Sequence, residues 1–343
     1  MPNYRMPGEW APRAATWLAW PHNARDWPGK LSAVHWVYVE IVRHLSRRER
    51  VEILLQDDAL ARRVRRWLSD AGVDLSRVGL HRFSTDRSWT RDSGPTFVQS
   101  PTETAAVCWR FNAWAKYSNW KSDVLVGRAI AELAGCRVVV PRHNGRTVVM
   151  EGGAVDADGA GRLLATEECL LSDTQVRNPG FTREDYEHLF DEYLGVEETV
   201  WLGRGIAGDD THGHVDDCAR FIAPGRVIAA VEPDSRDENH KPLRDNLRRL
   251  READLDVIEI PMPRPLFFRG NRLPASYANF YVGADSVLVP TFNDPNDRFA
   301  LEAIAAAFPS HEAVGIHAVD LVWGYGTLHC STQPQPGGVA CAE

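Results

Sequence analysis

The chain alternates short apolar runs with longer stretches of mixed apolar and polar residues. Six of the runs have the length and the aliphatic content of buried strands, namely VEILL, CRVVV, GRVIAAV, LDVIEI, DSVLVP and EAVGIHAV. Elsewhere, apolar residues recur at spacings of three and four, which predicts helices over 31–45, 124–133, 183–193, 243–253 and 300–308. Strands that alternate with helices predict the α/β class.

These elements recur from one end of the chain to the other, and no Pro/Gly/Ser-rich linker or low-complexity segment divides them. A length of 343 residues would allow one domain or two, and the continuity favours a single domain over 1–343. No repeat is visible at the level of residues. Five groups of strand and helix would still fit a structural repeat whose sequence signature has faded.

Composition excludes several classes of protein. The chain is 44% hydrophobic and 25% charged, which is typical of a globular protein with a sizeable core and not of a disordered or fibrous one. Its 39 basic and 47 acidic residues give a formal charge of −8, which argues against a nucleic-acid partner. We therefore expect the Arg-rich stretch over 62–66 to be the solvated face of a helix.

The cellular setting is predicted from what the sequence lacks. It has no run of about 18 apolar residues, and it does not begin with the basic-then-apolar profile of a secretory signal. We therefore expect a cytoplasmic protein without a membrane partner. The six cysteines show no CxxC pair, and all six are expected to be thiols. The 12 tryptophans would suit the walls of a small-molecule pocket.

Polar residues interrupt this pattern in four short segments, each next to an apolar run. The segments are SWTRDSGP around Asp92, MEGG around Glu151, DDTHGHVDD around His214, and WGYGTLHCSTQ around Cys330. The ends of strands are where a scaffold presents side chains to a cleft, so these segments are the candidate site.

Cys330 is the strongest single candidate. Gly324 and Gly326 precede it and allow a tight turn, and the polar STQ that follows predicts an exposed bend. A thiolate is the best nucleophile among side chains near neutral pH. We expect Cys108 and Cys136, like Cys169, to be buried structural residues instead.

His214 and Asp216 are two residues apart, so in a strand they would face the same way and enter one site together. That pair would suit proton transfer beside a group that binds substrate. The rival interpretation is a metal site built from His212, His214, Asp209 and Asp216. No further HxH or HExxH partner occurs in the sequence, and we therefore predict no metal.

Asp92 and Glu151 are ambiguous when each is taken alone, because RDSGP and MEGG could both be ordinary turns at strand ends. Their value lies in the combination with the other candidates. One nucleophile, one base and three carboxylates on strand-end loops indicate an enzyme active site.

Seven motifs in succession resemble those of the agmatine deiminase family, which is related to the bacterial peptidyl-arginine deiminases. They are EWAPRAATWLAWP, WTRDSGPTF, MEGG, DDTHGHVDD, NRLPASYANFYV, FNDPNDRFALEAIAAAFP and GTLHCSTQPQP, and they run from Glu9 to Pro336. The resemblance implies the pentein fold, a five-bladed α/β propeller with pseudo-fivefold symmetry and the active site in its central channel. The alternation of strands and helices is compatible with that fold.

The resemblance also implies an activity, the hydrolysis of agmatine to N-carbamoylputrescine and ammonia in putrescine and polyamine biosynthesis. The resemblance implies that Cys330 is the nucleophile, that His214 is the general acid/base, and that Glu151 is the carboxylate that orients His214. It implies that Asp92 and Asp216 are the pair that holds the guanidinium. Trp89 would be an aromatic residue beside the aliphatic chain, and Asp210 an acid near the substrate's tail. The reaction passes through a cysteine S-alkylthiouronium, and no metal or organic cofactor is implied. A homo-oligomer is possible.

The chemistry of a guanidinium agrees with these roles. The group is planar, always protonated and made only of donors, so it needs carboxylates that accept paired N–H bonds in its plane. Its central carbon is a poor electrophile because the charge is delocalised. Fixing the nitrogens between Asp92 and Asp216 would localise the charge and aim the carbon at the sulfur of Cys330.

Two departures from the family pattern affect the pocket more than the chemistry. Tyr325 adds bulk in GYGTLHC, where relatives carry a denser glycine run, and His212 stands where Asp or Asn is common. An alternative is therefore a deiminase or amidinotransferase of the same fold for another guanidino compound, such as free or peptidyl arginine. Asp209 and Asp210 favour an amine tail, whereas Arg110 could serve a carboxylate. A non-catalytic binding protein and a metal-dependent amidohydrolase built on the HxH are the remaining alternatives.

Overall fold

The computed structural model describes residues 1 and 3–341, and within them most strands belong to five small sheets with one repeated topology. In each sheet the first strand pairs antiparallel with the second, and the second pairs parallel with the third. The five sets are Gln333–Pro336, Arg13–Ala19 and Arg50–Leu55; Thr96–Gln99, Thr104–Val107 and Arg137–Val139; Val155–Ala157, Arg162–Thr166 and Glu198–Leu202; Ala219–Ala223, Arg226–Val231 and Asp256–Pro261; Tyr281–Val282, Ser286–Thr291 and Glu312–His317.

A helix connects the two parallel strands in every sheet, as a parallel pairing requires a long crossover. In order these helices are Leu31–Leu45, Val126–Leu133, Arg183–Leu194, His240–Glu252 and Asn296–Ala307. The first sheet has a fourth strand, Val78–Arg82, which follows helix Asp58–Asp70. Because Gln333–Pro336 completes this sheet, the end of the chain joins its beginning.

Shorter elements complete the structure. Two hairpins pair Arg142–His143 with Arg146–Thr147 and Phe267–Phe268 with Asn271–Arg272. Single helical turns are Thr90–Ser93, Glu167–Leu170 and Leu328–Ser331, and turns of 3-10 helix are Leu75–Arg77, Asp123–Leu125, Gly152–Ala154, Val215–Asp217 and Leu321–Gly324.

The predicted α/β class and the predicted helices are confirmed. The structure has a strand at each of the six apolar runs, and the helix predicted over 31–45 has those bounds. The Arg-rich stretch belongs to helix Asp58–Asp70, whose buried face is Leu60, Val64 and Leu68, so its arginines form a solvated face as expected. Two further strands, Arg13–Ala19 and Ala219–Ala223, were not predicted because each contains only one of the branched aliphatic residues that marked the other runs.

Local signals explain where several helices begin and end. Asp57 accepts a hydrogen bond from the Leu60 N–H and caps the Arg-rich helix. Thr182 and Asp185 form a capping box at the start of helix Arg183–Leu194. Gly195 ends that helix at φ 66°, where the left-handed conformation favours glycine.

One expectation about the cysteines is wrong. The structure joins Cys136 and Cys341, 205 residues apart, in a disulfide with a Cα–Cα distance of 4.5 Å. Cys108, Cys169, Cys218 and Cys330 are buried thiols. The spacing of the cysteines gives no sign of the pairing, because the end of the chain reaches Cys136 only after it has crossed the first sheet. Among the described residues, no helix has the length and apolar content that crossing a membrane would require.

Each of the five sheets is entered through a short turn that precedes its first strand. These turns are Thr90–Ser93, Gly152–Ala154, Val215–Asp217, Leu328–Ser331 and the bend at 277–278. Thr90–Ser93 contacts both Gly152–Ala154 and Leu328–Ser331, and Gly152–Ala154 also contacts Val215–Asp217. Residues far apart in sequence therefore meet where the sheets begin, and four of the five turns carry the polar segments noted in the sequence.

Candidate active site

A cavity of about 380 Å³ opens at these turns. Its walls include three tryptophans and two tyrosines, namely Trp89, Trp114, Trp323, Tyr117 and Tyr325. Charged residues of both signs also line it: Arg25, Asp26, Arg87, Asp92, Asp210 and Arg269. The Cys330 thiol completes the lining, so a nucleophile and a carboxylate face one aromatic-walled space.

Cys330 lies in the helical turn Leu328–Ser331 and is 6% exposed, so the predicted exposed bend is wrong. Gly326, before this turn, has no room for a side chain. A Cβ there would lie 2.9 Å from the Trp89 ring and 3.1 Å from the Cys330 Cβ. Burial, together with the charges of Asp216, Asp217 and Asp92, raises the pKa of Cys330 well above its ordinary value. The sulfur is therefore a neutral thiol while the cavity holds no cation.

His214 is almost fully buried, 1% exposed, and lies between two carboxylates. Its Nε2 is 3.5 Å from Glu151 Oε2, and its Nδ1 is 3.8 Å from Asp92 Oδ1. Burial opposes the charged ring, but the Asp92 charge and the contact with Glu151 outweigh it and raise the pKa of His214 to about 10. The predicted strand is wrong here, because His214 precedes the turn Val215–Asp217.

Glu151 contacts Arg177 as well as His214, and the side chains of Glu151 and Arg177 are 0% exposed. Arg177 Nε donates to both carboxylate oxygens at 3.2 Å. Burial opposes ionisation of Glu151, but the charges of Arg177 and His214 lower its pKa below the ordinary value. Glu151 thus stays a carboxylate and can hold the ring of His214, whereas no sequence motif indicated Arg177.

The residues of the predicted metal alternative do not form one ligand set. Asp209 accepts the backbone N–H groups of Thr211, Gly213 and His214, and His212 Nε2 is 3.0 Å from Ser172 Oγ. Among the described residues, the group with suitable spacing is a different one, formed by Glu151, Cys169 and His214. The carboxylate of that group, Glu151, is already paired with Arg177.

Asp92 reaches the cavity from the turn Thr90–Ser93. Its Oδ2 accepts a hydrogen bond from Trp114 Nε1 at 2.9 Å, and its Oδ1 accepts the Gly153 N–H at 3.1 Å. Burial raises the pKa of Asp92 to about 6, and Asp216 and Glu151 add to this effect while His214 opposes it. Two donors fix the plane of this carboxylate before any ligand arrives.

Asp216 is 0% exposed, and its Oδ2 is 4.0 Å from the Cys330 sulfur. The same oxygen lies 2.6 Å from His329 Nδ1, whereas Oδ1 has no hydrogen-bond partner. Burial opposes the charge of Asp216, but the contact with His329 lowers its pKa below the ordinary value. A buried carboxylate oxygen without a protein partner can accept a hydrogen bond from a cationic ligand.

Glu9 supports His329 from the side away from Asp216. Its carboxylate lies 2.9 Å from His329 Nε2, 2.8 Å from Arg91 Nη2 and 3.0 Å from Arg220 Nη2. Burial opposes ionisation, but these three partners lower the pKa of Glu9 well below its ordinary value. The His329 ring is therefore held between two carboxylates and stays fixed against Asp216.

The remaining predicted residues also line the cavity. Trp89, 5% exposed, lines it, and Asp210 also faces it but is engaged by Lys116 and by the Tyr117 hydroxyl at 2.6 Å. Arg110 is exposed and lies outside this cavity, so the basic residue suggested for a carboxylate tail is not part of it.

Tyr325, the noted departure, adopts φ 66° at the cavity wall. This left-handed conformation is uncommon for a bulky residue. It explains why glycine would suit the position and places the tyrosine ring where it narrows the cavity.

Comparison with known proteins gives consistent results along the chain. The model of the Porphyromonas-type peptidyl-arginine deiminase family matches residues 5–336. The agmatine deiminase of Pseudomonas syringae pv. tomato is 34% identical over 367 residues, covering 97% of this chain and 95% of that protein. The solved agmatine deiminase of Enterococcus faecalis is 32% identical with a TM-score of 0.88, covering 98% of this chain and 97% of that one. A Cys-to-Ser variant of the C. jejuni agmatine deiminase, solved with substrate bound, is 26% identical with a TM-score of 0.87. The match covers 98% of this chain and 97% of that one.

Proposed function

The chain belongs to the Porphyromonas-type peptidyl-arginine deiminase family, and from this premise we propose that it hydrolyses agmatine to N-carbamoylputrescine and ammonia. One observation carries the proposal at the level of the site. The Cys330 sulfur and the Asp92 carboxylate face one cavity, and the buried carboxylate of Asp216 has its Oδ2 4.0 Å from that sulfur. This arrangement suits a planar cation whose carbon must meet a nucleophile.

Binding of the guanidinium is the first step of the proposed mechanism. Asp92 and Asp216 accept its N–H groups, and the aromatic side chain of Trp89 packs beside the aliphatic chain. The cation neutralises two of the carboxylates that raise the pKa of Cys330, so the substrate itself promotes formation of the thiolate, and the thiol proton leaves to solvent. The free enzyme keeps its sulfur protonated, and this protects the thiol until agmatine is present.

The thiolate then attacks the guanidinium carbon, and an S–C bond forms in a tetrahedral adduct. His214 donates a proton to one nitrogen as the C–N bond breaks, ammonia leaves, and an S-alkylthiouronium remains on Cys330. Glu151, itself neutralised by Arg177, holds the ring during this transfer.

Water completes the reaction. His214, now neutral, removes a proton from a water molecule that attacks the thiouronium carbon. The C–S bond breaks, N-carbamoylputrescine leaves, and the thiol is restored. The hydroxyl proton of the adduct formed by water passes to the departing sulfur. We infer that Asp210 interacts with the ammonium of the substrate's tail in exchange for part of its contact with Lys116.

The five equivalent sheets support a finer proposal about architecture. The protein has the single-domain α/β pentein fold of its structural neighbours. We infer that its five units are arranged as the blades of a pseudo-fivefold propeller with the site where the entry turns meet. A cytoplasmic location and assembly into a homo-oligomer stay predictions.

Ammonia release from agmatine, free arginine and a peptidyl arginine, measured side by side, tests the function. We expect turnover of agmatine with no loss after treatment with a chelator, and inactivity of Cys330→Ser, since a hydroxyl offers far less anion near neutral pH. Faster release from either arginine substrate would overturn the substrate assignment. Substantial activity in Cys330→Ser would overturn the covalent mechanism.

A further inference from the structure

Asn279 lies at the fifth entry turn, two residues before strand Tyr281–Val282. The other four turns each supply a residue to the proposed reaction. Asn279 is 0% exposed and belongs to NRLPASYANFYV, a segment that the proposed mechanism leaves without a role. Asn279 is therefore the residue through which the fifth sheet could contribute to the site.

The side-chain oxygen of Asn279 holds the loop that carries the nucleophile. Oδ1 accepts from the Thr327 hydroxyl at 2.7 Å, the His329 N–H at 3.0 Å and the Cys330 N–H at 3.4 Å. Backbone N–H groups can only donate, so these contacts fix which end of the amide is oxygen.

Both ends of the amide lie near the sulfur, and the nitrogen is the closer one, since Cys330 Sγ is 3.5 Å from Oδ1. Nδ2 lies 3.2 Å from Cys330 Sγ and 3.0 Å from Asp217 Oδ1, and it donates to both. The Asp217 contact holds the amide in this orientation. Asn279 thus offers the sulfur a neutral donor in a region where carboxylates predominate.

The charges around the sulfur make such a donor valuable. Asp216 and Asp217 face Cys330 from one turn and Asp92 from another, and all three disfavour a thiolate. Tyr38 faces it from helix Leu31–Leu45, and His329, on the sulfur's own turn, is engaged by Asp216 and Glu9. A donor at 3.2 Å stabilises the anion more than the thiol, because hydrogen bonds to charged groups are the stronger ones.

We propose that Asn279 is a further catalytic residue, whose Nδ2 hydrogen bond to Cys330 stabilises the thiolate while Oδ1 fixes the position of the loop. The inference rests on the proposed function insofar as Cys330 is the nucleophile there. The same contact should stabilise the thiolate again when it leaves the thiouronium, so both chemical steps depend on it.

Asn279→Asp is the sharpest test because it keeps the shape and the acceptor oxygen but replaces the donor with a carboxylate oxygen. We expect kcat for agmatine to fall by about tenfold to a hundredfold with little change in KM, the range for losing a hydrogen bond to a charged group. The pH dependence of iodoacetamide alkylation of Cys330, followed by mass spectrometry without agmatine, should move to higher pH. Asn279→Ser adds no charge, and its shorter side chain cannot reach the sulfur. It should move the alkylation profile to higher pH as well.

Thr327→Val is the matched control, since it removes a donor to Oδ1 and leaves the sulfur contact in place. It should lower the thermal unfolding temperature without shifting the alkylation profile. A wild-type profile in both Asn279 variants, or an equal shift in Thr327→Val, would overturn the proposal and leave Asn279 a structural residue. Alkylation of Cys330 needs no substrate, so it tests the role of Asn279 independently. If the wild type failed to turn over agmatine, the proposed function would fail without affecting the alkylation result.

Discussion

Asp216→Asn should change activity and thiol reactivity in opposite directions. The substitution keeps the size of the side chain and an oxygen that can accept from His329, but it removes the negative charge 4.0 Å from the Cys330 sulfur. That charge binds the guanidinium when substrate is present and disfavours the thiolate when it is absent. The two effects can therefore be measured on one variant.

The expected loss of activity follows from burial. Asp216 is 0% exposed, and removing one partner of a buried, hydrogen-bonded charge pair costs about 2 to 5 kcal/mol. At about 1.4 kcal/mol per tenfold, kcat/KM for agmatine should fall by roughly 30-fold to 4,000-fold. Since the contact also aligns the carbon with the sulfur, we expect kcat to fall and not only KM to rise.

The substrate-free thiol should respond in the other direction. Burial and the Asp216 charge raise the pKa of Cys330, so removing the charge should lower that pKa and speed alkylation by iodoacetamide near neutral pH. Asp217→Asn is the control, because the guanidinium is assigned to Asp92 and Asp216 and the new amide oxygen can still accept from Asn279 Nδ2. Its loss of activity should be much smaller. Slower alkylation of Asp216→Asn, or near-normal kcat/KM, would refute the reasoning.

Three further predictions concern the surroundings of the nucleophile. Because Asp92, with a pKa of about 6, must be a carboxylate to bind the cation, kcat/KM should rise as the pH increases through about 6; a flat profile across this range would contradict that role. Arg177→Met leaves Glu151 buried without its ion pair and should lower the free energy of unfolding by about 3 to 5 kcal/mol in denaturant titrations, with Arg177→Lys less affected. Asp210→Asn should raise KM for agmatine more than it lowers kcat, and Lys116→Ala should lower KM; unchanged KM in both variants would remove Asp210 from the tail site.

The sequence predicted the class of fold and the helices because both depend on local periodicity. It also identified the polar segments that the turns bring together, with Asp92, Glu151, His214 and Cys330 among them. The conformation of these segments was predicted less well. Whether Cys330 lies on an exposed bend or a buried turn depends on packing against residues such as Trp89, and no local pattern reports that packing.

The supporting residues were missed for the same reason. Glu9 contacts His329 across 320 positions, and Arg177 contacts Glu151 across 26, so neither partner is visible from spacing. Asn279 lies inside a motif that the sequence did highlight, but an asparagine among apolar residues could equally cap a turn. Only the placement of the Cys330 sulfur gives it a chemical role.

Rapid quenching of the wild-type enzyme during turnover of agmatine tests the central claim most directly. Mass spectrometry of the digested protein should show a transient adduct, with the mass of agmatine less ammonia, on the peptide that contains Cys330. His214→Ala should lose agmatine turnover, since both the departure of ammonia and the attack of water depend on that side chain. Full agmatine turnover with no adduct on Cys330 at any quench time would contradict the account.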